Sequence, residues 1–212
     1  MSRQLRSLCA LTVLSMVVAC THSPQAQAPP TAEAAKVAQM KEALRDLWVG
    51  HIFWIRNVAI ATMDQNVAAR DAAEKGVVAN AESIARSIEP FYGKGASDKL
   101  FTLLAEHYAG LREYLDATAA GSSSQQGIAV KHLTANASEI ATFLSGANPN
   151  LAKDTVMGLL MAHAAHHLTE FQQLKEKDYI REAETWAGMK QHIYVLADAL
   201  TDALAKQFPD KV

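Results

Sequence analysis

Three histidines and a glutamate fall close together in an otherwise apolar stretch, VMGLLMAHAAHHLTEF at Val156–Phe171. At about 100° per residue, His167 stands about 40° and Glu170 about −20° from His163 on a helical wheel, the arc that Val156, Leu159, Leu160 and Leu174 also occupy. The polar trio therefore rides on the stripe that should be buried. Buried imidazole and carboxylate are costly unless paired or bound to a metal. With His192 from the next helix, His163, His167 and Glu170 make a donor set suited to Zn, Mn, Fe or Cu, with no thiolate to favour softer ions. Two-metal carboxylate bundles need several inward glutamates and paired Glu-x-x-His motifs. The sequence lacks both, so the expected site is mononuclear.

The segment has internal relatives. VANAESIARSI (78–88) aligns without gaps on TANASEIATFL (134–144), 56 residues later, and the same step puts LLAEHYAGLREYL (103–115) on LLMAHAAHHLTEF (159–171) and, backwards, on LWVGHIFWIRNVA (47–59). His51, His107 and His163 coincide, as do Asn80, Asn136 and His192. In an antiparallel bundle, residues equidistant from a turn share a height, so His51, Asn80, His107, Asn136, His163 and His192 are expected in one polar layer. A hydrogen-bonded layer of this kind would set register, as buried polar residues do in coiled coils.

The third copy departs from the other two. His167 replaces Ile55 and Leu111, Glu170 replaces Val58 and Tyr114, and His192 replaces Asn80 and Asn136. The same-height rule puts Thr185 opposite Glu170 and Gly188 opposite His167, while Glu182 and Glu184 fall on the flanks of their helix and are not counted as ligands. Trp48 and Trp54, on either side of His51, are expected to fill core.

The elements that carry these residues read as helices. Helical patterning runs over about 34–64, 70–89, 97–119, 127–145, 151–175 and 179–207, broken at Asp64-Gln65-Asn66, Tyr92-Gly93-Lys94-Gly95, Gly121-Ser122-Ser123-Ser124, Asn148-Pro149-Asn150 and Lys177-Asp178. No stretch alternates as a strand would. The expected fold is all-α: one antiparallel up-down bundle of about six helices over residues 34–212, built from three hairpins of about 56 residues.

Residues 1–19 stand apart. Arg3 and Arg6 precede an apolar run, Leu8–Val18, too short to span a bilayer, and the small-residue approach Val17-Val18-Ala19 leads to Cys20. The pattern resembles a bacterial lipoprotein signal. That resemblance implies cleavage before Cys20, its lipidation, loss of Cys9 and, with Thr21 rather than Asp next, an outer-membrane anchor with the domain facing the periplasm. Residues 20–33 are then the lipidated cysteine and a Pro- and Gln-rich tether. Removing 1–19 leaves 18 basic against 22 acidic side chains, a net charge of −4. With no basic patch and no interleaved aromatics, nucleic acid is excluded as a partner; the membrane, through Cys20, is the one the sequence indicates.

Nucleophile elbows, P-loops and dinucleotide turns are missing, and without Cys-x-x-Cys-His covalent c-type haem is excluded. From about Leu44 onward the chain resembles a family of uncharacterised bacterial helical proteins. The resemblance rests on Leu47-Trp48-x-x-His51-x-x-Trp54-x-Arg56, Pro90-Phe91-Tyr92-Gly93, Glu106-His107, Asn136-Ala137-x-x-Ile140-Ala141-x-Phe143-Leu144-Ser145, Asn148-Pro149, His163 with Glu170, and Ala197-Asp198 before Gln207-Phe208-Pro209. It implies the helical fold and no activity. Where that family carries threonine, this chain has Ile55 and His167. His163-x-x-x-His167 with a distant His51 also resembles the three-histidine site of DinB-like bundles.

Two functions fit these observations. One is a non-enzymatic, lipid-anchored envelope or binding protein whose His/Asn layer is structural. The other is a divalent-metal-binding protein, carrier or metal-dependent enzyme, using the third hairpin. No reaction is indicated, and the non-enzymatic reading is the expectation.

Overall fold

The computed structural model describes residues 31–211. The signal 1–19, Cys20 and the tether as far as residue 30 lie outside the described residues. The rest is helical: α1 (Ala32–Met63), α2 (Val67–Ser87), a single-turn α3 (Glu89–Tyr92), α4 (Lys94–Ala120), α5 (Ser123–Ala147), α6 (Lys153–Glu176), α7 (Tyr179–Gln207) and a terminal 3-10 turn (Pro209–Lys211). Among the described residues there is no strand, and no helix is long and apolar enough to cross a membrane.

Most helix starts lie a few residues earlier than periodicity alone predicts, because capping side chains recruit the preceding turn. Thr31 accepts from the Ala34 N–H, Asn66 from Ala69 and Ser122 from Gln125. The serine run expected to be loop is thus the cap and first turn of α5. Pro90-Phe91-Tyr92, expected as a stop, forms a turn of helix with proline in its first turn, where no N–H is needed. Gly93 and Gly121, with φ of 80° and 72°, make the left-handed exits that side chains resist.

The three long helices α1, α4 and α6 touch one another at the centre. Around them α2 bridges α1 and α4, α5 bridges α4 and α6, and α7 bridges α6 and α1. Arg45 ties α1 to α7 with two hydrogen bonds to Asp198, at 2.7 and 2.6 Å. Trp54 lies flat on α2 at Gly76, where a methyl group would overlap the indole.

The apolar interior is split in two. One cluster holds Leu44, Trp48, Ile52, Leu100, Leu104, Leu160 and Leu196; the other holds Ile55, Val58, Leu111, Leu115, Phe171 and Leu174. Trp48 is core, as expected, and Trp54 packs half-buried on the second cluster. Between them, on the central helices, lie His51, His107, His163 and His167, all buried.

Candidate metal centre

Each central helix delivers one histidine to the axis. The His51, His107 and His163 rings form a triangle with centroids 6.2, 5.4 and 6.0 Å apart. His167, one turn beyond His163, stands 4.6 Å from it and 5.9 Å from His51. One ligand nitrogen each of His51, His163 and His167 lies within 4.8 Å of the other two. His51 Nε2 and His163 Nε2 are 3.3 Å apart. Two imidazole nitrogens bound to one tetrahedral zinc at about 2.0–2.1 Å would be separated by about 3.3–3.4 Å.

The backbone beneath these histidines is held from the side. Asn80 Nδ2 donates to the Leu47 carbonyl at 2.9 Å, Asn136 Nδ2 to Leu103 at 3.0 Å and His192 Nε2 to Leu159 at 2.9 Å. Each carbonyl lies four residues before His51, His107 or His163. The second bond of Asn136 assigns a tautomer. With its amide nitrogen turned to Leu103, its Oδ1 faces His107 Nδ1 at 3.2 Å, so Nδ1 carries the proton and His107 Nε2 keeps a free lone pair. Asn136→Leu is expected to leave the buried Nδ1–H without an acceptor and to cost about 1–3 kcal/mol, read as a lowered thermal midpoint.

Unpartnered polar atoms concentrate here. Among the described residues, ten buried side-chain nitrogens and oxygens lack a hydrogen-bond partner, and six of them belong to His107, His163, His167 and Glu170. Such groups cost about 1–3 kcal/mol each when left empty, which native cores rarely tolerate without a purpose.

Glu170, with 0 % exposure, places Oε2 3.5 Å from His167 Nδ1. Its other neighbour is an ion pair: Arg56 donates to both oxygens of Glu182, at 2.5 and 2.8 Å, and its Nε lies 3.7 Å from Glu170 Oε1. Burial pushes the Glu170 carboxyl up to about 8; Glu182 pushes the same way and Arg56 opposes them. The bond to Glu182 holds the Arg56 guanidinium above its ordinary value.

The imidazoles move the other way. Burial lowers His51 to about 3, with His107 adding repulsion, and lowers His107 to about 4 against the Asn136 bond. Burial, then the neighbouring rings, takes His163 and His167 well below their ordinary value. All four are neutral at pH 7, the form that binds metals.

Of the expected ligands His163, His167, Glu170 and His192, the first two converge and Glu170 stands behind His167. His192 is a correction. It is half-buried, spends Nε2 on the Leu159 carbonyl and faces the His166 ring at 5.6 Å. At the clamp position its reach ends on the neighbouring backbone, short of the axis. The expected layer changes likewise: only His107 and Asn136 pair through their side chains, and His51 meets His163 rather than Asn80.

The facing helix is turned from the expected orientation. Gly188 lies beside His166, not His167, and Glu182, assigned to a flank, is buried beside Glu170. The wheel missed Glu182 because it lies about 80° from the arc of His192 at about 100° per residue. The signal for it was Arg56, a cation one turn beyond a core histidine, which needs a carboxylate.

A cavity of ≈ 60 Å³ opens on the same layer, with His51, His107 and His163 in its lining. No protein-family model, curated protein or solved structure matches the chain.

Proposed function

We propose that this protein binds one divalent transition-metal ion through His51, His163 and His167, and that metal binding rather than core register is the purpose of the buried cluster. The observation that carries this reading is the convergence of three neutral, buried imidazoles, two of them at the spacing of ligands on one tetrahedral ion. Three imidazole ligands with a further position open is the pattern of catalytic zinc sites; structural sites close all four. Zinc, or Mn, Fe or Cu with the same nitrogen donors, would supply Lewis-acid or redox chemistry there.

The chain's own residues complete the centre. Glu170 is placed to accept the Nδ1 proton of His167, which leaves Nε2 to the metal and holds the ring's orientation. Arg56 and Glu182 back Glu170 from the other side. His107, bonded to Asn136, stays in the structural role that the polar-layer reading gave it. The sequence around Cys20 supports a lipid-anchored protein at the outer membrane, facing the periplasm.

Tag-free protein stripped with chelator is expected to bind one equivalent of Zn(II) or Co(II), with the d–d absorption of nitrogen-ligated tetrahedral cobalt. Loss of an outer partner typically costs 10–100-fold in metal affinity, so loss of two ligands in His163→Ala/His167→Ala should cost more than about 100-fold. Cobalt binding that survives the double substitution overturns the assignment.

A further inference from the structure

The cavity beside the histidines has a use that a metal ion does not supply. Its lining on α7 runs from Leu196 to Leu204, about 12 Å of helix at about 1.5 Å per residue. On α1 it runs from Leu44 to His51. The lining is half-buried around Phe143, Leu151 and Ala199, and fully buried at His51, His107 and His163. The mouth is therefore at the α3 end of the bundle and the blind end is the histidine layer. A water needs on the order of 10–15 Å³, so ≈ 60 Å³ takes about four to six atoms in line, a short slender chain, and excludes a bulky ring system.

The chemistry of the walls narrows the occupant. No lysine, arginine, aspartate or glutamate lines the cavity, and its few polar groups near the mouth are spoken for: Ser87 bonds the Ile84 carbonyl, and Asn148 donates to Tyr92. An apolar cavity of this sort is poor in water and takes apolar ligands. Three polar atoms of the lining lack a partner: His107 Nε2, His163 Nδ1 and the Trp48 indole Nε1. His107 Nε2 is buried, unpartnered and, with Nδ1–H engaged by Asn136, fixed as an acceptor. An occupant that satisfies His107 Nε2 must bring a hydrogen-bond donor, and one that satisfies the Trp48 N–H an acceptor; a hydroxyl carries both. An ionised carboxylate brings neither a donor nor a counter-ion.

We propose that this cavity is a binding site for an unbranched aliphatic alcohol, its chain along the apolar channel and its hydroxyl donating to His107 Nε2. The site does not need the metal, so it is tested on chelator-stripped protein and stands or falls apart from the metal reading.

Calorimetric titration with 1-butanol is expected to show one site per chain. 1-Methoxypropane, of equal length and without a donor, is expected to bind at least fivefold more weakly, and butanoate at pH 7.5 to show no binding. His107→Phe should remove the preference for alcohol over ether, and His107→Gln, which keeps an acceptor, should restore part of it; that recovery separates lost recognition from lost fold. Ala199→Trp, at the mouth, should abolish binding of both probes while the far-ultraviolet spectrum stays helical. The proposal is overturned by no butanol binding below the concentration at which the helical signal falls, by butanoate binding as tightly as butanol, by an alcohol preference unchanged in His107→Phe, or by butanol binding unchanged in Ala199→Trp.

Discussion

Metal-free protein is expected to be most stable near about pH 7 and to lose about 4 kcal/mol per pH unit as the pH is taken through about 5. Four imidazoles drive the acid side. His51, His107, His163 and His167 have folded-state values far below the ordinary 6.5. Below 6.5 the unfolded chain binds protons that the folded chain refuses, and stability falls as the pH falls. His166, lowered by partial burial, adds in the same direction.

Glu170 has the opposite sign. Its folded value of about 8 lies above the ordinary 4.5, so the folded chain holds the extra proton between those limits. That stability is lost as the pH rises through them. At pH 5 the unfolded state binds about three more protons than the folded one, each worth about 1.4 kcal/mol per pH unit, and the two effects balance near about pH 7. Urea unfolding at half-unit pH intervals measures the profile. A flat profile between pH 5 and 7 would show that the imidazoles are not held neutral. Saturating zinc is expected to raise stability at pH 7 by mass action.

The second large effect lies behind the site. Arg56→Met is expected to cost about 3 kcal/mol, the low end for breaking a buried pair because Arg56 is itself half-buried; it leaves Glu182 buried without its cation and removes the positive charge nearest Glu170. Breaking a buried pair by removing one partner is far worse than replacing both with apolar groups. Arg56→Met/Glu182→Leu should accordingly recover most of the loss, and the double-mutant cycle isolates the coupling. A single substitution costing under about 1 kcal/mol would mean that solvent reaches Glu182 as well as Arg56.

The helices and the height of the histidines were legible in the chain because both follow from spacing. Helical period marks the six long helices to within a few residues, and His51, His107 and His163, spaced 56 residues apart, bring their rings together at the axis. Rotation of each helix about its own axis was not legible. It depends on how neighbouring ridges interlock, and a wheel read from one helix carries no information about its partner. That is why His192 was expected at the axis and lies on a neighbouring carbonyl, why Gly188 lies beside His166, and why Glu182 was dismissed. His51 was visible as a residue of the layer, and as a resemblance, yet its approach to His163 needed the packing of α1 against α6.

The clamps on the Leu47, Leu103 and Leu159 carbonyls bear on how a ligand is received. Each clamped carbonyl is also the acceptor, four residues back, of the helical hydrogen bond from the histidine's own N–H. A side chain from the next helix thus anchors the very turn that carries each ring. Most of the entropy of ordering the centre is already spent when the chain folds, leaving ring rotation as the main adjustment on binding. Small zinc domains fold only as they capture their ion. On the proposed metal-binding reading this bundle would be a preorganised receptor, its affinity not debited by a folding transition and its uptake rate set by access through the helices.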